Sequence, residues 1–207
     1  TAPENDKLAL LWIKENNSTF EHFIDGKFTK SKTYFKTKNP ANNQFLANIA
    51  VGSKSDVNLA VASAIKAQKK WVQIGCHRRS RYLYALARLM QKHSRLFAVL
   101  ETIDNGKPIR ESRDIDIPLA IRHFYYHAGA AQLMETNLQG YEPIGVCGQI
   151  IPWNFPLLML AWKIAPAIAC GNTVVLKPAE FTSLTAIFFA ELCHKAGIPE
   201  GVINIIT

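Results

Sequence analysis

The chain has 207 residues, 48% of them hydrophobic, and a formal net charge of +8. This composition is typical of a globular protein, and no apolar run reaches the ~18 residues that a membrane span needs. The start of the chain lacks the basic and apolar regions of a secretory signal. The basic residues are spread over predicted helix faces without a recognition motif, so we expect neither a membrane nor a nucleic-acid partner.

Cysteine and histidine spacing gives no indication of a metal site. The cysteines are Cys76, Cys147, Cys170 and Cys193, and none of them forms a CxxC pair. Apolar neighbours surround the last three, which favours buried reduced thiols and a cytoplasmic location. His123 and His127 stand four residues apart, but no HExxH glutamate accompanies them and neighbouring aromatic residues indicate packing. We therefore expect no bound metal.

The first fifty residues predict a helix followed by strands. Residues 5–15 have the pattern of a short amphipathic helix with Leu8, Leu11 and Trp12 on one side. Strands are predicted over 20–50, with a hairpin turn at Asp25-Gly26 and a second turn at 39–43. The segment FLANIAV follows that turn as another strand.

The next ninety residues predict three helices. Ser53 or Ser55 can cap the first, which extends to about residue 72 with apolar positions at helical spacing. Those positions are Val57, Val61, Ala64, Ile65 and Val72. A long helix covers about 78–104, and Asn105-Gly106 ends it as a left-handed cap. Its inward residues are Leu83, Leu86, Met90, Phe97 and Leu100. A third helix runs from Pro108 to about residue 135.

The pattern changes after Pro143. GVCGQII is a continuous apolar run, typical of a strand buried on both faces. A helix over 156–170, the strand TVVLK, a helix over 183–196 and the strand GVINIIT follow. The predicted fold class is therefore α/β, with half of a doubly wound parallel, Rossmann-like sheet preceded by an amino-terminal hairpin and long helices. We divide the chain into residues 1–140 and 141–207, the second range holding this β-α-β-α-β half.

Two polar clusters follow the first two strands of this unit. Pro152-Trp153-Asn154 follows the first strand, and Lys177-Pro178-Ala179-Glu180 follows the second. Ligands of such sheets bind beyond the carboxyl ends of the strands, so both clusters lie at the predicted binding edge. The first turn carries no G-x-G-x-x-G, because Gly145 and Gly148 precede it inside the strand. A dinucleotide bound there would not be held by the usual glycine-rich turn.

These residues resemble the start of the coenzyme domain of the NAD(P)-dependent aldehyde dehydrogenase superfamily. The resemblance rests on EPIGVCGQIIPWNFPLLMLAWKIAPAIACGNTVVLKPAE and GIPEGVINIIT, with the FIDGKF hairpin and the NPANNQ turn before them. It implies that the Asn154 amide helps to form an oxyanion hole and that Ile151, Pro152 and Trp153 line the coenzyme cleft. It further implies that Lys177 and Glu180, with Pro178 and Ala179 between them, hold the adenosine ribose hydroxyls. The implied cofactor is NAD, with NADP possible, and the implied substrate is an aldehyde.

The resemblance also places the nucleophilic cysteine, the general-base glutamate and the catalytic domain beyond residue 207. None of the four cysteines matches the nucleophile, so we expect the chain to be the amino-terminal part of a longer enzyme, incomplete as a catalyst on its own. The complete protein is expected to be a homo-oligomer. Only AGAAQLMETNLQG and Tyr141 separate the third helix from the EPIGV strand, and this shortening, with the LLWIKENN opening, resembles the family 16 branch, which puts the usual tetramer in doubt.

Several alternatives remain open at this point. Asn154 could cap the following helix instead of acting in catalysis. Lys177 and Glu180 could form an exposed ion pair of little energetic value. The whole protein could be an acyl-phosphate reductase on the same scaffold, or a non-catalytic relative that serves as a scaffold.

Overall fold

A computed structural model describes residues 5–207 of the chain. The helices of this part are α1 (Lys7–Glu15), α2 (Lys54–Gln73), α3 (Cys76–Lys92), α4 (Ser94–Asn105), α5 (Ile109–Glu111), α6 (Ile117–Gln132), α7 (Met134–Asn137), α8 (Pro156–Ala169) and α9 (Leu184–Lys195). The strands are β1 (Thr19–Phe20), β2 (His22–Ile24), β3 (Lys27–Thr29), β4 (Tyr34–Lys38), β5 (Phe45–Ala50), β6 (Val146–Ile150), β7 (Thr173–Lys177) and β8 (Ile203–Ile205). No helix in this range is long and apolar enough to cross a membrane.

The larger sheet contains the predicted parallel unit. β6 pairs with β7 and β7 with β8, all parallel, and helices α8 and α9 form the crossovers between them. The β2–β3 hairpin, which turns at Asp25-Gly26 as predicted, adds to β8 in antiparallel orientation and gives the order β3-β2-β8-β7-β6. The sequence pattern did not predict this addition, since no local signal links residues 22–29 with 203–205. A second sheet has the order β1-β5-β4.

Helix α2 begins at a capping box and covers one face of β7. The Ser53 hydroxyl accepts from the backbone N–H of Asp56 at 3.3 Å, and the Ser53 N–H donates to the Asp56 carboxylate at 2.8 Å. The helix itself is confirmed, but its apolar positions are unequally covered: Ala64 is buried, whereas Val57 and Ile65 are exposed. The buried residues are Ala60, Ala64, Ala67 and Trp71. Small alanines allow the helix to lie close to the sheet, which the larger side chains would prevent.

Leu8, Leu11 and Trp12 of helix α1 line one cavity, in agreement with the predicted common side. Trp12 is buried, whereas Leu8 and Leu11 are exposed. The Trp12 ring stacks on Phe20 with centroids 4.6 Å apart, and its indole N–H donates to Glu191 of α9 at 2.9 Å. These two contacts fix the rotation of the helix, because a buried indole N–H needs an acceptor.

The predicted long helix is divided at His93 into α3 and α4, and all five predicted inward residues are buried. Gly106 then adopts the left-handed conformation, with φ of 85°, as the sequence predicts. A Cβ at this position would lie 2.7 Å from Pro40, so the turn requires glycine for space as well as for conformation. The third predicted helix is interrupted by a π-helical turn at Ser112–Asp116 and ends at α7.

Strand β6 differs from the prediction of a strand buried on both faces. It is an edge strand of the described sheet, and Ile150 at its carboxyl end is 77% exposed. Val146 and Cys147 are half-buried. The apolar side chains of β6 are therefore only partly covered by other residues within the range 5–207.

Candidate functional site

The two predicted polar clusters lie side by side at the carboxyl edge of the parallel strands. Ile150 of β6 is in register with Lys177 of β7. The backbone N–H of the next residue, Ile151, donates to the carbonyl oxygen of Lys177 at 3.2 Å. This hydrogen bond joins the two strand ends at the point where each chain leaves the sheet, so the loops that follow begin next to each other.

All three residues of the first cluster, Pro152, Trp153 and Asn154, are exposed to solvent. Ile151 is buried and anchors the loop, whereas Trp153 is 57% exposed and Asn154 is also exposed. The N-cap residue of α8 is Phe155, and the side chain of Phe155 makes no capping hydrogen bond. Asn154 therefore does not cap the helix, and its amide has no hydrogen-bond partner among residues 5–207. An exposed amide that serves no structural purpose is available to a ligand.

The second cluster contains an ion pair. The Lys177 ammonium lies 3.4 Å from the Glu180 carboxylate, and the two side chains are 48% and 61% exposed. Pro178 and Ala179 between them are buried. The backbone N–H of Glu180, followed by Lys177, holds the pKa of the Glu180 carboxyl below its ordinary value, so the group is a carboxylate at neutral pH. An exposed pair of this kind contributes little to stability.

Two cavities border the clusters. A cavity of about 400 Å³ is lined by Trp153 of the first cluster and Glu180 of the second, together with residues of β4 and the end of α4. A cavity of about 590 Å³ lies along the sheet and reaches Ile150 and Lys177. The structure thus brings the predicted residues to one edge, with Lys177 and Glu180 facing different cavities.

Sequence reasoning missed two buried carboxyls at the end of α4. Glu101 is 0% exposed, and its Oε2 accepts from the backbone N–H of Leu157 in the first turn of α8 at 3.2 Å. Asp104 accepts from the backbone N–H of Leu184, the first residue of α9, at 2.9 Å, and from the Thr37 hydroxyl at 3.0 Å. One helix therefore caps both helices that follow the clusters, at positions where their N–H groups lack intrahelical partners.

Burial dominates the ionisation of these carboxyls. It raises the pKa of Glu101 to about 8 and that of Asp104 to about 7. The hydrogen bonds from Leu157 and Leu184 lower these pKa values, but their effect is smaller than that of burial. The Oε1 atom of Glu101 has no hydrogen-bond partner within the described range. The sequence LETIDN holds a signal that could have identified them, since it places two acidic residues three positions apart on an otherwise apolar helix face. Carboxyls are rarely buried without a specific partner, so such a pair indicates that each has one.

Two residues just after these carboxyls contact the Trp153–Phe155 loop directly. The side-chain amide of Asn105 donates to the carbonyl oxygen of Trp153 at 2.5 Å. The Lys107 ammonium lies 4.0 Å from the centroid of the Phe155 ring and forms an ion pair with the nearly buried Asp116. We refer to residues 101–107, which make all these contacts, as the 101–107 segment.

The cysteines and His123 are among the remaining residues within the range 5–207 that the sequence singles out for their chemistry. Each of the four cysteines is a free thiol, and burial raises the pKa of each. The Trp162 indole donates to Nε2 of His123, which occupies one of the two ring nitrogens that could bind a metal. Within residues 5–207, no three histidine, cysteine or acidic side chains are grouped so as to hold a metal ion.

Comparisons with known proteins agree with this architecture. The family model described as aldehyde dehydrogenase family matches residues 28–207, so the chain belongs to the aldehyde dehydrogenase family. Aldehyde dehydrogenase family 2 member B4, mitochondrial, of Arabidopsis thaliana is 46% identical over 198 residues, covering 89% of this chain and 37% of that protein.

Solved structures of aldehyde dehydrogenase from Bacillus cereus are also similar. A mutant form of that enzyme has a TM-score of 0.88 at 36% identity, covering 94% of this chain and 42% of that one. The NAD⁺ complex has a TM-score of 0.86 at 37% identity, covering 92% and 42%. This chain spans about 40% of the length of the curated relatives that it matches. These similarities confirm the predicted family and fold class, whereas the family 16 assignment stays a prediction.

Proposed function

We propose that this chain is the amino-terminal, coenzyme-binding portion of an NAD-dependent aldehyde dehydrogenase that oxidises aldehydes to carboxylic acids. The observation that carries the proposal is the unpartnered amide of Asn154, held beyond the end of β6 beside the ribose-binding candidates of β7. Family membership and the similarity to an NAD⁺ complex support it. The division into residues 1–140 and 141–207, and an incomplete catalyst without its nucleophile and base, are parts of the same proposal.

Asn154 serves as an oxyanion donor in this proposal. When a thiolate adds to an aldehyde, the carbonyl oxygen becomes negatively charged, and a neutral N–H donor at that oxygen stabilises the charge by ~3 kcal/mol. The Asn154 amide suits this role because it is exposed and forms no competing hydrogen bond in the described structure. Ile151, Pro152 and Trp153 would line the cleft beside it.

The second cluster suits the ribose of NAD. The Glu180 carboxylate is ionised and exposed, so it can accept hydrogen bonds from two vicinal hydroxyls, and Lys177 beside it can donate to them. Pro178 and Ala179 are buried and fix the turn between the two. NAD, when bound, accepts the hydride of the substrate. A 2′-phosphate would meet like charge at Glu180, which favours NAD over NADP.

Replacement of Glu180 by glutamine should weaken coenzyme binding. We expect the Kd for NAD in the full-length protein to rise about tenfold, because a charged acceptor contributes roughly 1.5–3 kcal/mol and a neutral amide less. The ratio of the Kd for NADP to the Kd for NAD should decrease at the same time. Coenzyme titrations of wild type and Glu180→Gln would measure both, with the exposed Glu111→Gln as the matched control; an unchanged Kd and unchanged preference would remove Glu180 from the site.

The function itself is tested on the full-length protein. Purified protein incubated with NAD and a panel of aldehydes should produce NADH, followed by its absorbance, and release the carboxylic acid. Formation of an acyl phosphate that requires inorganic phosphate would instead identify an acyl-phosphate reductase. Absence of NADH with every aldehyde, together with NAD binding, would identify a non-catalytic relative.

We also propose a cytoplasmic location and a homo-oligomeric assembly for the whole protein. The location is supported by the four free thiols, whereas the Arabidopsis relative is mitochondrial, so imaging of the tagged full-length protein is the deciding measurement. The assembly rests on the family relationship, and the short segment before β6 argues against the usual tetramer. Sedimentation of the purified full-length protein would give the number of subunits.

A further inference from the structure

We infer that the 101–107 segment positions the Asn154 amide, so that Asn105 and its neighbours act in the reaction through Asn154. This inference rests on the proposed function of Asn154 and names residues that the proposal does not include. The basis is that the segment contacts residues on both sides of Asn154 in the loop but not Asn154 itself. The segment binds the backbone of Trp153, the ring of Phe155 and the backbone of Leu157, and leaves Asn154 without a partner in the described structure.

These contacts restrain Asn154 from both sides. On one side, Asn105 holds the carbonyl oxygen of Trp153, which belongs to the peptide unit immediately before Asn154. On the other side, Lys107 lies over the Phe155 ring, and its own position is fixed by the ion pair with Asp116. Restraint of both neighbouring residues limits the backbone rotation of Asn154, so its side chain leaves the loop in a defined direction.

The segment is itself rigidly held. Glu101 and Asp104 are buried and bind the first turns of α8 and α9. Gly106 reverses the chain in a conformation that leaves no space for a Cβ beside Pro40, and this reversal brings Lys107 back towards Phe155. Asn105 is only half-buried, so its side chain is not needed to fill the core. A side chain that contributes little to packing but holds the loop backbone is suited to positioning.

The test is a double-mutant cycle in the full-length protein. Asn105→Leu keeps the size of the side chain and removes the donor to Trp153. We expect kcat to fall about tenfold while the KM for NAD stays unchanged, because a misplaced donor acts on the transition state. In the Asn154→Ala background, Asn105→Leu should cause no further loss, because Asn105 acts only through Asn154. Asn105→Ser, a smaller replacement, should behave in the same way, and Asn137→Leu in the exposed α7 is the control.

Amide hydrogen exchange gives a second measurement that does not depend on activity. In Asn105→Leu, peptides that contain residues 153–157 should exchange about tenfold faster, while Asn137→Leu should exchange at the wild-type rate. Faster exchange in a protein that oxidises no aldehyde would reject the proposed function and support the positioning of the loop. Unchanged exchange would overturn the inference, as would kcat losses that multiply in the Asn154→Ala background.

Discussion

Replacement of Asn154 by alanine should lower the kcat of the full-length protein by about 10²–10³-fold, the usual cost of removing one oxyanion donor. The KM for NAD should remain close to the wild-type value, because the lost interaction forms only as negative charge develops on the aldehyde oxygen. Stability should also be unchanged. The amide is exposed, forms no hydrogen bond within residues 5–207 and does not cap α8. Steady-state kinetics and thermal unfolding of the variant would measure these three quantities.

The control for this variant is Asn137→Ala, which makes the same chemical change on the exposed surface of α7. It should leave kcat, KM and unfolding temperature at wild-type values. Wild-type turnover by Asn154→Ala would reject the oxyanion role, whatever the coenzyme specificity. A fall in unfolding temperature that accompanied the fall in kcat would instead indicate that Asn154 supports the loop.

The parts of the fold that could be predicted are those that local pattern determines. The parallel strands, the hairpin turn at Asp25-Gly26 and the glycine cap at Gly106 are confirmed, because periodicity and turn chemistry specify each within a few residues. The two polar clusters also lie where the strand-end rule places them. That rule depends only on the order of elements, so it needs no knowledge of distant contacts.

The rotation of helices was the least predictable feature. Val57 and Ile65 fit an apolar stripe in α2, yet alanines and Trp71 face the sheet because close approach of helix and strand decides the packing. In α1, a hydrogen bond from Trp12 to Glu191 links residues 179 positions apart. No window of sequence contains both partners, so a local pattern cannot show which side of α1 packs against α9.

The 101–107 segment illustrates a different limit. Asn105-Gly106 was correctly interpreted as a helix end, but a cap signal does not reveal what the flanking polar side chains bind. Glu101, Asp104 and Asn105 each bind a backbone group, of Leu157, Leu184 and Trp153 respectively, and a backbone group carries no side-chain signature in the sequence. Only the three-dimensional arrangement shows that the same helix end holds both loops of the candidate site.

A further expected result is that the contribution of Glu101 to the stability of the protein decreases as pH rises from about 5 to about 9. Folding raises the pKa of Glu101 from an ordinary 4.5 to about 8, so between these values the folded state binds more protons than the unfolded state. Stability contributed by the protonated carboxyl is therefore fully present below the lower pKa and is lost as pH rises through the higher one. The loss for Glu101 is on the order of 5 kcal/mol, and Asp104, raised to about 7, changes stability in the same direction.

Glu101→Gln isolates this contribution. Glutamine keeps an acceptor for the Leu157 N–H and cannot ionise, so the variant should lose much of the pH dependence and become the more stable protein above about pH 8. Among the charges around Glu101, Lys107 lowers the pKa of this carboxyl, whereas Asp116 and Asp104 raise it, and each of these effects is smaller than that of burial. Urea unfolding of the full-length protein at pH 5, 7 and 9, followed by tryptophan fluorescence, would measure the difference.

The matched control is Glu111→Gln on the exposed surface of α5, which should follow the pH dependence of the wild type. Parallel pH profiles of wild type and Glu101→Gln would show that Glu101 is ionised in the folded protein. The Leu157 N–H would then be capped by a carboxylate, and Lys107 would have to neutralise it. The Lys107 ammonium would in that case be shared between the carboxylates of Glu101 and Asp116. The contact of Lys107 with the Phe155 ring, next to Asn154, would then depend on the ionisation of Glu101 as well as on the ring itself.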